Sequence, residues 1–211
     1  MYAPTITPAA EQALERTFER AMAAAGRALA DMSGQEIHIV ATEVARTSAR
    51  HVVESAGGAG TIVVGVYLGI TGSMDGHALL VLPPDGARRL ASLLLEGFAP
   101  PSDDMLEAGL PDFGELELST LREVGNVTIG AFLNEIGRHL DSPVVPTVPV
   151  AVSDMAGAIL DGVLADLTTD TDEILAAKTR FLNGGDTIEG SLLVLPRQAS
   201  LAMLTQALGA A

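Results

Sequence analysis

The sequence predicts an internally duplicated α+β fold, with long helices packed on one shared β-sheet. Three observations carry that prediction. Residues 79–83 and 192–196 both read LLVLP. Followed by apolar periodicity, each half runs through the same order of helix, strand, hairpin and helix. Neither half has enough strands to bury both faces of a sheet alone, so the halves must join in one pseudo-two-fold domain. The repeats span about 8–97 and 113–209 within a single domain of 1–211, joined by a surface connection at 98–112.

In the first half a long helix covers about 8–32. EIHIVATEV (36–44) alternates as a strand, and 46–57 is a short helix. TIVVGVYLGI and HALLVLP form a hairpin around Thr71 to Gly76, where GSMDG supplies the turn. A helix at 85–97 closes the half. The second half opens with a helix at 113–140 and continues with VVPTVPVAV (144–152) as a strand segment. A helix at 153–167, strands at 173–182 and 188–195 around the turn NGGD, and a last helix at 197–209 follow. GRALADMSG (26–34) aligns with GAFLNEIGR (130–138), placing Gly26 on Gly130 and Leu29 on Leu133. The offset is then 104 in the helices and 113 in the LLVLP strands, so the second copy gains about nine residues between them.

Composition excludes several classes of chemistry. There is no cysteine, which removes disulfides, thiolate metal sites and cysteine nucleophiles. The amino-terminal stretch does not read as a signal peptide, and no run of about 18 apolar residues occurs, so a cytoplasmic protein is expected. Asp and Glu number 27 against 12 Lys plus Arg, for a net charge of −15, and Lys178 is the single lysine. Such a surface repels nucleic acid and anionic membrane. It is either a solvated acidic shell or an adaptation to high internal salt, the second being the expectation here.

The segment with chemistry is ELELSTLREVGNVTIGAFLNEIGRHL (115–140). At 100° per residue Leu118, Leu121, Ile129, Phe132 and Ile136 gather on one side. Ser119, Glu123 and Asn126, spaced i, i+4, i+7, form a polar stripe within an arc of about 60° beside that face. Gly125 inside a helix costs roughly 1 kcal/mol relative to Ala. It either permits close helix packing or marks a helix that yields stability at a working site.

Ser119-x3-Glu123-x2-Asn126 is followed after 22 residues by Pro149. This spacing resembles the D/S-x3-E-x2-N-x22-P signature of the CheC/CheX/FliY family of chemotaxis response-regulator phosphatases. The likeness extends along the chain through VVGVYLGITG, GHALLVLP and the duplication itself. The resemblance implies a CheC-like fold and hydrolysis of the aspartyl phosphate of a CheY-like regulator. It implies further that Asn126 inserts beside that phosphate and holds the attacking water, while Glu123 pairs with the regulator's lysine. Ser119 borders the site and Pro149 shapes the adjoining loop. No cofactor of the chain's own is implied, since Mg²⁺ comes with the regulator.

The chemistry suits these side chains independently of any family. An aspartyl phosphate is a labile acyl phosphate, so catalysis of its hydrolysis is chiefly the positioning of water. A neutral amide orients that water without the repulsion a carboxylate would feel from phosphoryl oxygens. With an offset of 104, Glu15, Glu19 and Met22 fall under Ser119, Glu123 and Asn126, and Ala45 under Pro149. Methionine cannot orient water, so the first half reads as a degenerate centre.

Other candidates are weaker. His38, His51, His77 and His139 have no metal-ligand spacing. Gly57, Gly58 and Gly60 precede a strand, which makes them a turn rather than a phosphate loop. Asp103-Asp104 and Asp170 to Glu173 lack the length and glycine of a calcium loop. Two alternatives to the phosphatase stand: a non-catalytic binding module for the regulator or for a CheD-type deamidase, and a structural role like that of flagellar switch proteins. The intact Glu123/Asn126 pair argues against the structural role and, less strongly, against the binding module.

Overall fold

A computed structural model describes residues 8–95, 113–165 and 173–209. The connection 98–112, with Asp103-Asp104, lies outside the described residues, as do 96–97, 166–167 and Asp170 to Asp172. The chain order is α1 (Pro8–Ser33), β1 (His38–Ser48), α2 (Ala49–Ser55), β2 (Ile62–Gly72), β3 (Gly76–Leu82) and α3 (Pro84–Leu94). Then come α4 (Glu115–Leu140), β4 (Val144–Pro146), β5 (Val150–Met155), α5 (Ala156–Ala165), β6 (Glu173–Asn183), β7 (Asp186–Pro196) and α6 (Gln198–Gly209).

All seven strands form one antiparallel sheet in the order β1-β6-β7-β3-β2, with β4 and β5 both on the outer side of β2. The order reads the same from either end if β1, β6 and β7 are exchanged with β5, β2 and β3. Each half therefore lends an outer strand to the hairpin of the other: β1 pairs β6, and β5 pairs β2. The halves meet along β3 and β7, where Leu79 faces Leu193 and Leu80 faces Leu192. These central strands are buried on both sides, and they read as unbroken apolar runs for that reason.

One face of the sheet carries α1, α3, α4 and α6 over Val64, Val66, Leu68, Leu80, Leu192 and Val194. The other carries α5 and α2 over Val63, Leu79, Leu193 and Leu195. Periodicity alone predicts the elements well, with three differences. The strand expected at 36–44 continues to Ser48, because β1 resumes pairing with β6 after a bulge at Glu43, a residue with φ of 51°. The helix expected from 46 accordingly starts at Ala49, where the Ser48 hydroxyl accepts the His51 N–H at 3.3 Å. The single segment 144–152 is two strands interrupted at Thr147 to Pro149, and the second runs on to Met155 by pairing with β2, so the helix expected from 153 starts at Ala156.

Candidate functional site

Helix α4 is defined at both ends. The Glu117 carboxylate accepts the Gly114 N–H at 2.8 Å, and Asp141 turns left-handed (φ 48°) to send its N–H to the Gly137 carbonyl. Glu115 and Glu117 in the first turn and Arg138 and His139 in the last complement the helix dipole. Its sides are set by burial: Leu121, Ile129, Phe132 and Ile136 have no exposed surface, and Leu118 is half-buried. Off that side, Ser119 and Glu123 are exposed and Asn126 is half-buried. Among the described residues none of these three has a side-chain hydrogen bond or ion pair. The stripe thus presents an uncommitted carboxylate and an uncommitted amide, one turn apart, to whatever approaches.

Pro149 sits in the interruption between β4 and β5, the two strands on which α4 also packs. Thr147 ties that interruption to β2: its hydroxyl accepts the Gly69 N–H at 2.8 Å and its own N–H reaches the Gly69 carbonyl at 2.9 Å. The next residues project outward, with Val148 82% and Val150 54% exposed. The loop is thus anchored and partly apolar, between two strands against which α4 packs.

Gly125 has a packing role. An ideal Cβ on it would lie 2.3 Å from Val66 Cγ1 and 2.7 Å from Val66 Cβ, so α4 rests on β2 with no space between them. Of the two readings open from the sequence, close packing accounts for this glycine. Val66, on a strand about 60 residues away in sequence, carries no sequence signal of that contact.

The degenerate first centre needs correction. Helices α1 and α4 both have 26 residues, and their ends differ by 107 rather than 104. Burial follows the same offset: Leu14, Phe18, Met22, Ala25 and Leu29 in α1 match Leu121, Gly125, Ile129, Phe132 and Ile136 in α4. Met22 is fully buried and matches Ile129, so it never stood on a polar stripe. Gln12, Arg16 and Glu19, all exposed, take the places of Ser119, Glu123 and Asn126, and Glu15 has no counterpart in the stripe. Gly26 presses on β1, where a Cβ would be 2.9 Å from the Ile39 nitrogen, whereas Gly130 faces open space, so the two glycines are not equivalents. Thr42, beside the Glu43 bulge, takes the place of Pro149 instead of Ala45, and Glu43 pairs with Lys178 at 2.6 Å.

The remaining candidates have structural settings. Tyr67 Oη and His77 Nδ1 are 2.6 Å apart, His139 Nε2 and Thr17 Oγ1 2.9 Å, and exposed His38 lies 3.4 Å from Glu36. Gly57 and Gly58, with φ of 101° and 106°, turn the chain from α2 into β2. Among the described residues no three His, Cys, Asp or Glu side chains cluster as metal ligands, and no helix is long and apolar enough to cross a membrane.

This sheet, with its two long helices on one face, is the CheC-like fold. FliY of Thermotoga maritima matches it with a TM-score of 0.73 over 98% of both chains at 17% identity. The FliM middle domain of H. pylori matches with a TM-score of 0.66 at 9% identity, over 95% of this chain and 99% of its own. No family model matches the sequence. A relative in sequence is the CheY-P phosphatase CheC of Bacillus subtilis (strain 168), 24% identical over 187 residues, which cover 87% of this chain and 86% of that protein. The chain is thus related to the CheC/CheX/FliY family.

Proposed function

We propose that this chain is a chemotaxis phosphatase that hydrolyses the aspartyl phosphate of a CheY-like response regulator. The observation that carries the proposal is the stripe on α4, where the Glu123 carboxylate and the Asn126 amide face outward with no partner of their own. Asn126 orients a water in line with the acyl–phosphate bond. The water oxygen bonds to phosphorus as the phosphorus–oxygen bond to the regulator's aspartate breaks; the regulator keeps a free carboxylate, and inorganic phosphate leaves with the water's oxygen while the proton in excess passes to solvent. Glu123 pairs with the regulator's lysine on docking, Ser119 lines the contact, and Pro149 holds the neighbouring loop. The regulator supplies Mg²⁺, and the chain needs no cofactor. The relation to a protein named for action on CheY-P supports this reading.

The chain is further proposed to be one cytoplasmic domain of two repeats in which only the second is a working centre. Arg16 and Glu19 stand where Glu123 and Asn126 have their counterparts, so the first half offers neither the carboxylate nor the amide at its proper place. The likeness to the FliM middle domain favours a second reading, a binding module for the regulator or a CheD-type deamidase, because the same fold also serves a protein not named as a phosphatase. The test is the decay of labelled phosphate on the cognate regulator with and without the chain. Acceleration is expected; tight binding without acceleration selects the binding module.

A further inference from the structure

We propose that Gly125 and Val66 form a positioning pair that sets how far Asn126 projects from the molecule, an inference that rests on the phosphatase reading. Gly125 is the residue before Asn126, and its missing side chain is what lets α4 lie on β2. A Cβ there would meet Val66 at Cγ1 and Cβ, 2.3 and 2.7 Å away. Those atoms belong to a fully buried, β-branched side chain whose χ1 is restricted and whose surroundings are close-packed, so Val66 has little room to swing aside. Any side chain at position 125 must therefore raise the helix or tilt it, and Asn126 moves with its neighbour.

The first half shows a different arrangement at the matching place. With α1 and α4 related by 107 residues, Phe18 replaces Gly125, and its ring is buried against Phe132 with centroids 4.4 Å apart. Strands β2 and β6 both have 11 residues and differ by 111, so Ala177 replaces Val66. Where the second half has Gly125 seated on Val66, the first half has Phe18 and Ala177 at the matching positions, and Phe18 packs against Phe132 instead. The sheet contacts of α1 concentrate on β1, whereas α4 also lies on β2 and β3. The two helices are thus seated at different places: α1 comes closest to the sheet at Gly26 on β1, and α4 at Gly125 on β2, beside the amide. A water-positioning group gains nothing from generic stability but depends on its height, since a misplacement of about 1 Å costs on the order of 100-fold in rate.

The experiment measures phosphoryl-regulator decay against concentration of the chain, giving a maximal rate and a half-saturation for each variant, with folding followed by circular dichroism. Gly125→Ala should lower the maximal rate about 10- to 100-fold while half-saturation changes by less than about threefold, because Glu123 still docks. Gly125→Ala combined with Val66→Ala should return the rate to within about threefold of Val66→Ala alone, since the two changes share one contact. If Gly125→Ala does not fold, Val66→Ile enlarges the same contact from the strand and should show the same loss of rate. A folded Gly125→Ala or Val66→Ile with the wild-type maximal rate, or a double variant no better than Gly125→Ala, overturns the positioning pair. An inert wild type contradicts the phosphatase reading itself and removes this inference with it.

Discussion

Glu123 and Asn126 stand one turn apart on α4, yet the proposed mechanism asks different things of them. The carboxylate is exposed, so a lysine pairing with it gains modest Coulomb energy in high dielectric and loses it in salt. Glu123→Ala should weaken regulator binding about two- to fivefold at low ionic strength and lower the rate with it. Binding isotherms repeated in molar salt should show that difference shrink; a difference that grows with salt contradicts the ion pair. Arg16→Ala and Glu19→Ala, at the corresponding places on α1, should leave dephosphorylation at the wild-type rate in the same decay assay. The stripe was legible in the sequence because side-chain type and helical spacing are local properties. The Gly125–Val66 contact was not, because it joins residues far apart in the chain and depends on how deeply one element sits on another.

At the scale of the element, sequence and structure differ most where two registers compete. A slip of three residues on a helix rotates the pattern by 300°, only about 60° short of a full turn, so the apolar face of α1 aligns almost equally well at 104 and at 107. Burial decides between them, and it moves Met22 from a degenerate centre into the core. Met22→Ala should cost about 2–5 kcal/mol of stability through the cavity it leaves, read from the denaturant midpoint. The rate per folded molecule should not change. LLVLP hides a similar slip. Leu80 and Leu192 share the α1/α4 face, and Leu79 and Leu193 the opposite one. The two strands are therefore related by an even offset rather than 113, which would exchange the faces. Alternation normally exposes a one-residue error, but strands buried on both sides do not alternate. The interruption at Thr147 to Pro149 escaped for another reason, since its anchor is a hydrogen-bond pair to Gly69 on a distant strand.

For the whole molecule, the shared sheet means that neither hairpin pairs with the outer strand of its own half. The fold class was legible from the repeated order of elements and from the shortage of strands in each half. The charge belongs to this scale too. At −15 with one lysine, self-repulsion should weaken the folded state at low ionic strength, and screening should relieve it. The melting temperature should rise from dilute buffer to molar KCl; a flat or falling profile contradicts salt adaptation. The central claim is that this molecule presents one amide to place one water. The most direct measurement is the decay of labelled phosphoryl regulator with wild type and with Asn126→Ala, beside a binding isotherm on a stable phosphoryl mimic. Loss of a group that acts only in the transition state should lower the maximal rate about 100-fold or more while binding stays within about threefold. An Asn126→Ala protein that dephosphorylates the regulator at the wild-type rate would contradict the account.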